Sequence, residues 1–100
     1  MTLSEFQDLI DATYRAKDSA RGVDRTFLWF VEEVGELAEA IRHGTDAERK
    51  AEFADVLAWL TTLATLAGIR MEEAASKYAG GCPRCRRIPC SCAEPPAPVR

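Results

Sequence analysis

The stretch that most constrains the fold is residues 53–68, "FADVLAWLTTLATLAG", which would be apolar on nearly every side of a helix. A helix with one exposed side carries polar residues along that side, so this helix must be covered by neighbours on more than one side. No alternating strand pattern competes with the helical periodicity. The sequence therefore predicts an all-α fold, a four-helix bundle. Because a chain of 100 residues supplies few covering helices, we expect a homodimer or homotetramer to complete the bundle.

Helix start and stop signals divide the chain into four predicted helices. Thr2 with Glu5, and Thr45 with Glu48, have the spacing of capping boxes. The predicted helices are residues 2–17, 25–43, 45–68 and 71–79, and residues 18–24, "DSARGVD", are predicted as a loop. Residues 1–79 then form the helical domain, and residues 80–100 form a separate tail rich in Cys, Pro and Arg.

Composition and charge exclude several classes of protein. The net charge of −3 gives no reason to expect binding to the nucleic-acid backbone, which requires a basic face. The start, "MTLSEFQDLI", lacks the basic and apolar segments of a signal peptide. The longest apolar run, residues 56–69, is too short to span a bilayer. We expect a cytoplasmic protein that binds neither nucleic acid nor membrane.

Acidic residues cluster at helical spacing within apolar surroundings. Glu32, Glu33 and Glu36 share one side of the second predicted helix, and Glu52 and Asp55 repeat the three-residue spacing on the third. The short connection "RHGTDA" makes the two helices antiparallel, so the two acidic sets can converge. Carboxylates gathered without cationic side chains suit Mg²⁺ or Mn²⁺. The alternative is a solvated acidic face.

The acidic pattern resembles that of a known family. "EEVGE", fifteen intervening residues and "EFAD" are similar to the EExxE…ExxD signature of the MazG-type nucleotide pyrophosphohydrolases, which are all-α NTP pyrophosphatases. The resemblance covers roughly residues 3–79 and includes the run "GI-x-x-EEA". It implies Mg²⁺-dependent hydrolysis of nucleoside triphosphates, often deoxy or damaged ones, to the monophosphate and pyrophosphate, by a dimer or tetramer.

The same resemblance implies roles for individual acidic residues. Glu33, Glu36, Glu52 and Asp55 would be the metal ligands. Glu32 would position or deprotonate the attacking water.

Five further residues are candidates for substrate binding. Lys77 falls near the position where the family places a basic residue against the phosphates, although a Lys at a helix end also matches the helix dipole. Lys17 precedes the predicted loop and Arg21 lies within it, and both could close over a triphosphate or simply be solvated. Trp29 and Trp59 each lie four residues from a predicted ligand, where an aromatic ring can stack on a base or belong to the core.

The tail contains all four cysteines in eleven residues, "CPRCRRIPCSC". Cys82, Cys85, Cys90 and Cys92 could supply the four thiolates of a structural Zn²⁺ site. The alternative is a disordered or oxidised tail.

The function predicted from the sequence is Mg²⁺-dependent conversion of NTP or dNTP to the monophosphate and pyrophosphate, with removal of non-canonical nucleotides as an associated role. One alternative is a non-catalytic helical oligomerisation module whose zinc knuckle binds a partner. Another alternative is an enzyme of the same kind with a different substrate, namely a phosphoribosyl-ATP or dUTP pyrophosphohydrolase.

Overall fold

The computed structural model describes residues 1–94, and these contain three α-helices, one 3₁₀ helix and no strand. Helix α1 is Leu3–His43, α2 is Asp46–Leu66 and α3 is Met71–Ala75, followed by the 3₁₀ helix Ser76–Tyr78. The predicted all-α class is confirmed, but the described residues contain three α-helices instead of the four that were predicted. Residues 95–100 of the predicted tail lie outside the described residues.

Both predicted capping boxes are present. The Glu5 backbone N–H donates to the Thr2 hydroxyl (3.1 Å), and the Thr2 N–H donates to the Glu5 carboxylate (2.8 Å). Thr45 and Glu48 make the same reciprocal pair at the start of α2, both bonds at 3.2 Å. Each box satisfies backbone donors that have no partner within the first helical turn. These local bonds fix the beginnings of the two long helices.

The prediction of a loop at residues 18–24 is wrong, because α1 continues through them with a bend at one residue. Gly22 alone leaves helical geometry (φ 79°, ψ 173°), a conformation that is essentially restricted to glycine. The Thr26 hydroxyl donates to the Gly22 carbonyl (2.6 Å), and Arg21 donates across the bend to the Thr26 hydroxyl (3.3 Å). Local side chains therefore satisfy the polar groups at the bend, and a loop is not needed.

The bend lets α1 cover α2 on two sides. From residues 3–21 of α1, Gln7 donates its amide N–H to the Thr65 hydroxyl of α2 (2.9 Å). From residues 23–43, the Trp29 ring stacks on Trp59 of α2, with centroids 6.1 Å apart and an interplanar angle of 14°. The two parts of the bent helix therefore each contact α2, although Phe53, Leu57 and Leu60 of α2 remain exposed.

The predicted fourth helix, residues 71–79, is shorter and tighter than expected. Its α-helical part ends at Ala75, where the chain continues as the 3₁₀ helix Ser76–Tyr78. The Ser76 hydroxyl donates to the Glu73 carbonyl three residues earlier, a bond that competes with α-helical pairing. The start of α3 is held by Gln7, which is 1% exposed and whose side-chain oxygen accepts from the Met71 N–H (2.8 Å).

The single chain leaves much apolar surface exposed. Among residues 1–94, Ala40 is the one apolar residue that is buried. Two apolar stripes, each at i, i+4, i+7 spacing, remain exposed on the long helices: Phe27, Val31 and Val34 on α1, and Phe53, Leu57 and Leu60 on α2. Exposed patches of this kind mark interaction surfaces.

Within residues 1–94, no single helix has the length and apolarity needed to cross a membrane. Helix α2 taken together with Met71–Tyr78, bent by 105°, passes that test by length and composition only.

Candidate metal and substrate site

Three of the four predicted metal ligands converge in the structure. Glu33 of α1 and Glu52 and Asp55 of α2 each place a carboxylate oxygen within 4.8 Å of the other two. The helices meet there because the connection between them is only two residues, Gly44 and Thr45, so the end of α1 packs antiparallel to the start of α2. Glu33 and Glu52 are partly buried, and Asp55 is exposed.

The environment of Glu33 disfavours its negative charge. Burial raises the pKa of Glu33, and the nearby charges of Asp55, Glu52 and Glu36 raise it further. One Glu52 side-chain oxygen, Oε2, is buried without a hydrogen-bond partner. Within the described part of the chain, none of the ion pairs involves these acidic residues. A buried carboxylate oxygen without a donor needs a cation or a proton.

The donor set fits a hard divalent cation. Carboxylate oxygens are the ligands that Mg²⁺ prefers, and it also retains several waters or phosphate oxygens. Glu36, the fourth predicted ligand, lies outside the converging trio and is exposed. It is still close enough for its charge to contribute to the raised pKa of Glu33. Its role as a ligand stays a prediction.

A cleft of about 230 Å³ adjoins the carboxylates. Its lining includes Lys17, Arg21 and Tyr14 from α1, together with Asp55 and Trp59 from α2. Three residues predicted for substrate binding thus lie beside a predicted metal ligand. Two basic side chains and an aromatic ring next to carboxylates are suited to an anionic ligand that carries a flat ring.

The two tryptophans have different environments. Trp59 is partly buried, stacks on Trp29 and lies under the Arg21 guanidinium, 4.8 Å from its ring centroid. It is therefore part of the packing between α1 and α2 as well as a wall of the cleft. Trp29 is 50% exposed and lines a separate depression with Arg25, Leu28 and Glu32. Base stacking by either ring stays a prediction.

Two predicted residues lie apart from the converging trio. Glu32 is exposed and lines the depression beside Trp29. Lys77 lines a cavity with Cys82 and Arg86 at the start of the tail, and its ammonium group is 5.8 Å from the centroid of the Tyr78 ring. Their predicted roles in water activation and phosphate binding remain predictions.

A polar cluster in the wall of the cleft, formed by Asp18, Arg21 and Thr62, was not predicted from the sequence. Asp18, only 6% exposed, accepts from Arg21 (2.9 Å) and, through a long contact of 3.5 Å, from the Thr62 hydroxyl of α2. Arg21 also donates to the Thr26 hydroxyl (3.3 Å). The cluster holds the Arg21 guanidinium in place at the edge of the cleft. The three-residue spacing of Asp18 and Arg21 indicates an ion pair within one helix. It was not recognised because both residues were assigned to the predicted loop.

The four cysteines of the tail also converge. Their Sγ atoms all lie within 4.8 Å of one another, and the cysteines are free thiols. The pKa of Cys85 is lowered to about 6, chiefly because the Ser91 backbone N–H donates to its sulfur (3.4 Å). This cluster lies in the segment that follows the 3₁₀ helix, whereas the carboxylates are on α1 and α2.

Comparison with known proteins agrees with the acidic pattern. The family model of the MazG nucleotide pyrophosphohydrolase domain matches residues 21–85. The matched span contains every predicted carboxylate ligand and ends within the cysteine cluster. No curated protein matches the chain significantly. Because the family match covers well over half of its residues, the chain belongs to the MazG nucleotide pyrophosphohydrolase domain family.

Proposed function

We propose that the protein hydrolyses nucleoside triphosphates, ribose or deoxyribose, to the monophosphate and pyrophosphate in a Mg²⁺-dependent reaction. The observation that carries this proposal is the convergence of Glu33, Glu52 and Asp55 beside a cleft lined by Lys17 and Arg21. Membership of the MazG family supports the nucleotide as the class of substrate.

The metal would be held by Glu33, Glu52 and Asp55, with Glu36 as the fourth carboxylate. The unpartnered buried oxygen of Glu52 fits a position that needs a cation. When bound, Mg²⁺ neutralises phosphate oxygens and lowers the pKa of a bound water. Mn²⁺ has the same ligand preferences and would be an alternative.

The remaining residues bind and orient the substrate. Lys17 and Arg21 supply positive charge to the triphosphate, and Arg21 is already fixed by its bond to Asp18. Phosphoryl transfer depends mainly on such positioning and charge stabilisation. Glu32 would orient or deprotonate the water that attacks the α-phosphorus, and pyrophosphate leaves. Trp59 would limit the orientation of the base.

We further infer that the active form is a homodimer or homotetramer. Phe27 and Val31 on α1 are 52% and 51% exposed, and Phe53 on α2 is 57% exposed. A second copy of the chain would cover these apolar stripes, as small domains with little internal core require. Light scattering during size-exclusion chromatography tests this inference. A monomeric wild-type protein at micromolar concentration would refute it, and Phe53→Glu is expected to shift the oligomer toward monomer.

Pyrophosphate release from a panel of NTPs and dNTPs, with Mg²⁺ and with EDTA, tests the proposed activity. We expect Mg²⁺-dependent release, and the ranking of bases and sugars would name the substrate, including dUTP or phosphoribosyl-ATP if these are added. Asp55→Asn should lower kcat/KM by at least about 100-fold, since even the residues that orient metal ligands contribute about 10–100-fold. Asp24→Asn, an exposed aspartate away from the trio, is the matched control.

The opposite result is equally informative. If folded wild-type protein releases no pyrophosphate from any of these nucleotides, the proposed activity is wrong. The acidic cluster would then belong to a helical interaction module.

A further inference from the structure

The spacing of the four cysteine sulfurs matches a single tetrahedral metal ion. The Sγ atoms of Cys82 and Cys92 are 3.9 Å apart, as are those of Cys85 and Cys90. Four thiolates about 2.3 Å from a zinc ion define a tetrahedron with edges of about 3.8 Å. A disulfide would need sulfurs about 2.05 Å apart. The observed distances therefore fit shared coordination of one ion and do not fit paired disulfides.

The backbone around the cysteines is shaped to support the sulfurs. The Ser91 N–H donates to the Cys85 sulfur (3.4 Å), and the Cys92 N–H donates to the Cys90 sulfur (3.3 Å). The Arg86 N–H donates to the Cys82 carbonyl (2.7 Å) and closes a tight turn in which Arg86 has a positive φ of 60°. N–H groups aimed at sulfur stabilise the thiolate form, which is the form that binds metal.

Glycine is required where the chain enters this turn. Gly81 has φ +95°, and a Cβ there would lie 2.5 Å from a side-chain carbon of Ile88 and 2.7 Å from the Arg87 carbonyl oxygen. The segment thus folds back closely on itself at Gly81, and this brings Cys90 and Cys92 close to Cys82 and Cys85.

Hydrophobic burial does not account for this compact arrangement. Ile88, the large apolar residue of the segment, is 81% exposed. Four thiolates around a divalent cation carry a net charge of −2, and Arg84, Arg86 and Arg87 are interspersed among the cysteines and offset it. The segment has no hydrophobic core, yet its four sulfurs converge. In segments of this kind, metal binding supplies the free energy of folding.

We propose that Cys82, Cys85, Cys90 and Cys92 bind one Zn²⁺ in a closed structural site that fixes the fold of residues 81–92. The site is chemically distinct from the carboxylate trio, since soft thiolates select zinc and carboxylates select magnesium. It goes beyond the proposed hydrolase activity and does not depend on it.

Metal analysis of the full-length protein, purified without added metal, tests the proposal. We expect about one zinc ion per chain. Cobalt should replace it and give the visible absorption of tetrahedral thiolate-bound Co²⁺. The double variant Cys90→Ser, Cys92→Ser should lose most of the zinc and the cobalt absorption. Ala93→Ser adds a serine next to the cluster without removing a thiol, so it should keep both.

Three outcomes would overturn the proposal. The first is folded wild-type protein with little zinc that also fails to bind it when zinc is supplied under reducing conditions. The second is iron in place of zinc as the bound metal. The third is an intact mass that shows two disulfides in protein purified under reducing conditions. Circular dichroism should show that the double variant keeps α1 and α2, so loss of zinc would not be explained by global unfolding.

Discussion

Replacing Glu33 with Gln should stabilise the metal-free protein and inactivate it. Glu33 is partly buried, and its carboxylate oxygen lies within 4.8 Å of oxygens of Glu52 and Asp55. Without a metal, the three negative charges repel one another, and the raised pKa of Glu33 reflects its burial and this repulsion. Gln removes one charge at nearly constant shape. Its amide N–H can also donate to the unpartnered oxygen of Glu52.

The size of the effect follows from the separation of the charges. At the upper limit of their separation, 4.8 Å, two unit charges repel by about 0.9 kcal/mol in a water-like dielectric and by about 3.5 kcal/mol at an effective dielectric constant of about 20. Asp55 is exposed, so we take values near the lower figure for each of the two repulsions that Glu33 makes. The gain in the free energy of unfolding near neutral pH is then about 1–2 kcal/mol, or about 5–10 °C in Tm for a domain of this size.

The pH dependence gives a second measure of the same interaction. Because the pKa of Glu33 is raised in the folded state, the folded protein binds the proton more tightly than the unfolded chain. The free energy of unfolding of metal-free wild type should therefore fall as the pH rises from about the ordinary value of 4.5 through the raised pKa of Glu33. This component of the pH dependence should be absent from Glu33→Gln.

Thermal unfolding in EDTA and in Mg²⁺, followed by circular dichroism, measures these effects. Mg²⁺ should raise the Tm of wild type by binding the folded state and should raise that of Glu33→Gln much less. Glu39→Gln, an exposed carboxylate on the same helix but outside the trio, should change neither quantity appreciably. If Glu33→Gln is less stable than wild type in EDTA, or if Mg²⁺ stabilises both equally, the carboxylates do not form a repulsive, metal-neutralised cluster.

Two further predictions concern the catalytic base and the bend. Glu32→Gln should lower kcat by about 10²–10⁴-fold, the usual contribution of a general base, with little change in the Mg²⁺ concentration needed for half-maximal activity. A large shift in that concentration would instead make Glu32 a ligand. Gly22→Ala should destabilise the fold by about 1–3 kcal/mol, because Gly22 has a positive φ of 79°. Gly35→Ala should stabilise it by about 0.5–1 kcal/mol, because a Cβ at Gly35 meets nothing within 4 Å. Urea denaturation of the two glycine variants measures both changes in the free energy of unfolding. Changes of the same sign and size in the two variants would contradict the prediction.

Local signals in the sequence were sufficient for the starts of the two long helices and for most of the acidic cluster. A capping box depends on two residues three apart in sequence, and both predicted boxes, at Thr2 and at Thr45, are present in the structure. The convergence of Glu33, Glu52 and Asp55 followed from helical spacing and a short connection, which together fix the register of two antiparallel helices. These features depend on residues close in sequence or on one short turn, so a single sequence reveals them.

Features that depend on long-range packing were not predictable in the same way. "DSARGVD" contains residues common in loops, yet Asp18 is buried and paired, and Gly22 alone breaks the helix. The burial of Asp18 depends on Thr62, 44 residues later. The position of Lys77 beside the tail likewise depends on where α3 gives way to the 3₁₀ helix, which helix propensity does not determine.

The bend at Gly22 connects the fold to the candidate site. A straight helix of 41 residues would be about 60 Å long, yet the longest dimension of the folded chain is 44 Å. A straight α1 could pack along α2 with only part of its length, and Lys17 and Arg21 would project beyond the carboxylates. Because α1 bends, these two residues line the same cleft as Asp55 and Trp59. Any substitution that straightens the helix at Gly22 should therefore raise KM for the nucleotide as well as weaken the fold, whereas a change elsewhere that weakens the fold equally should leave KM of the folded fraction unchanged.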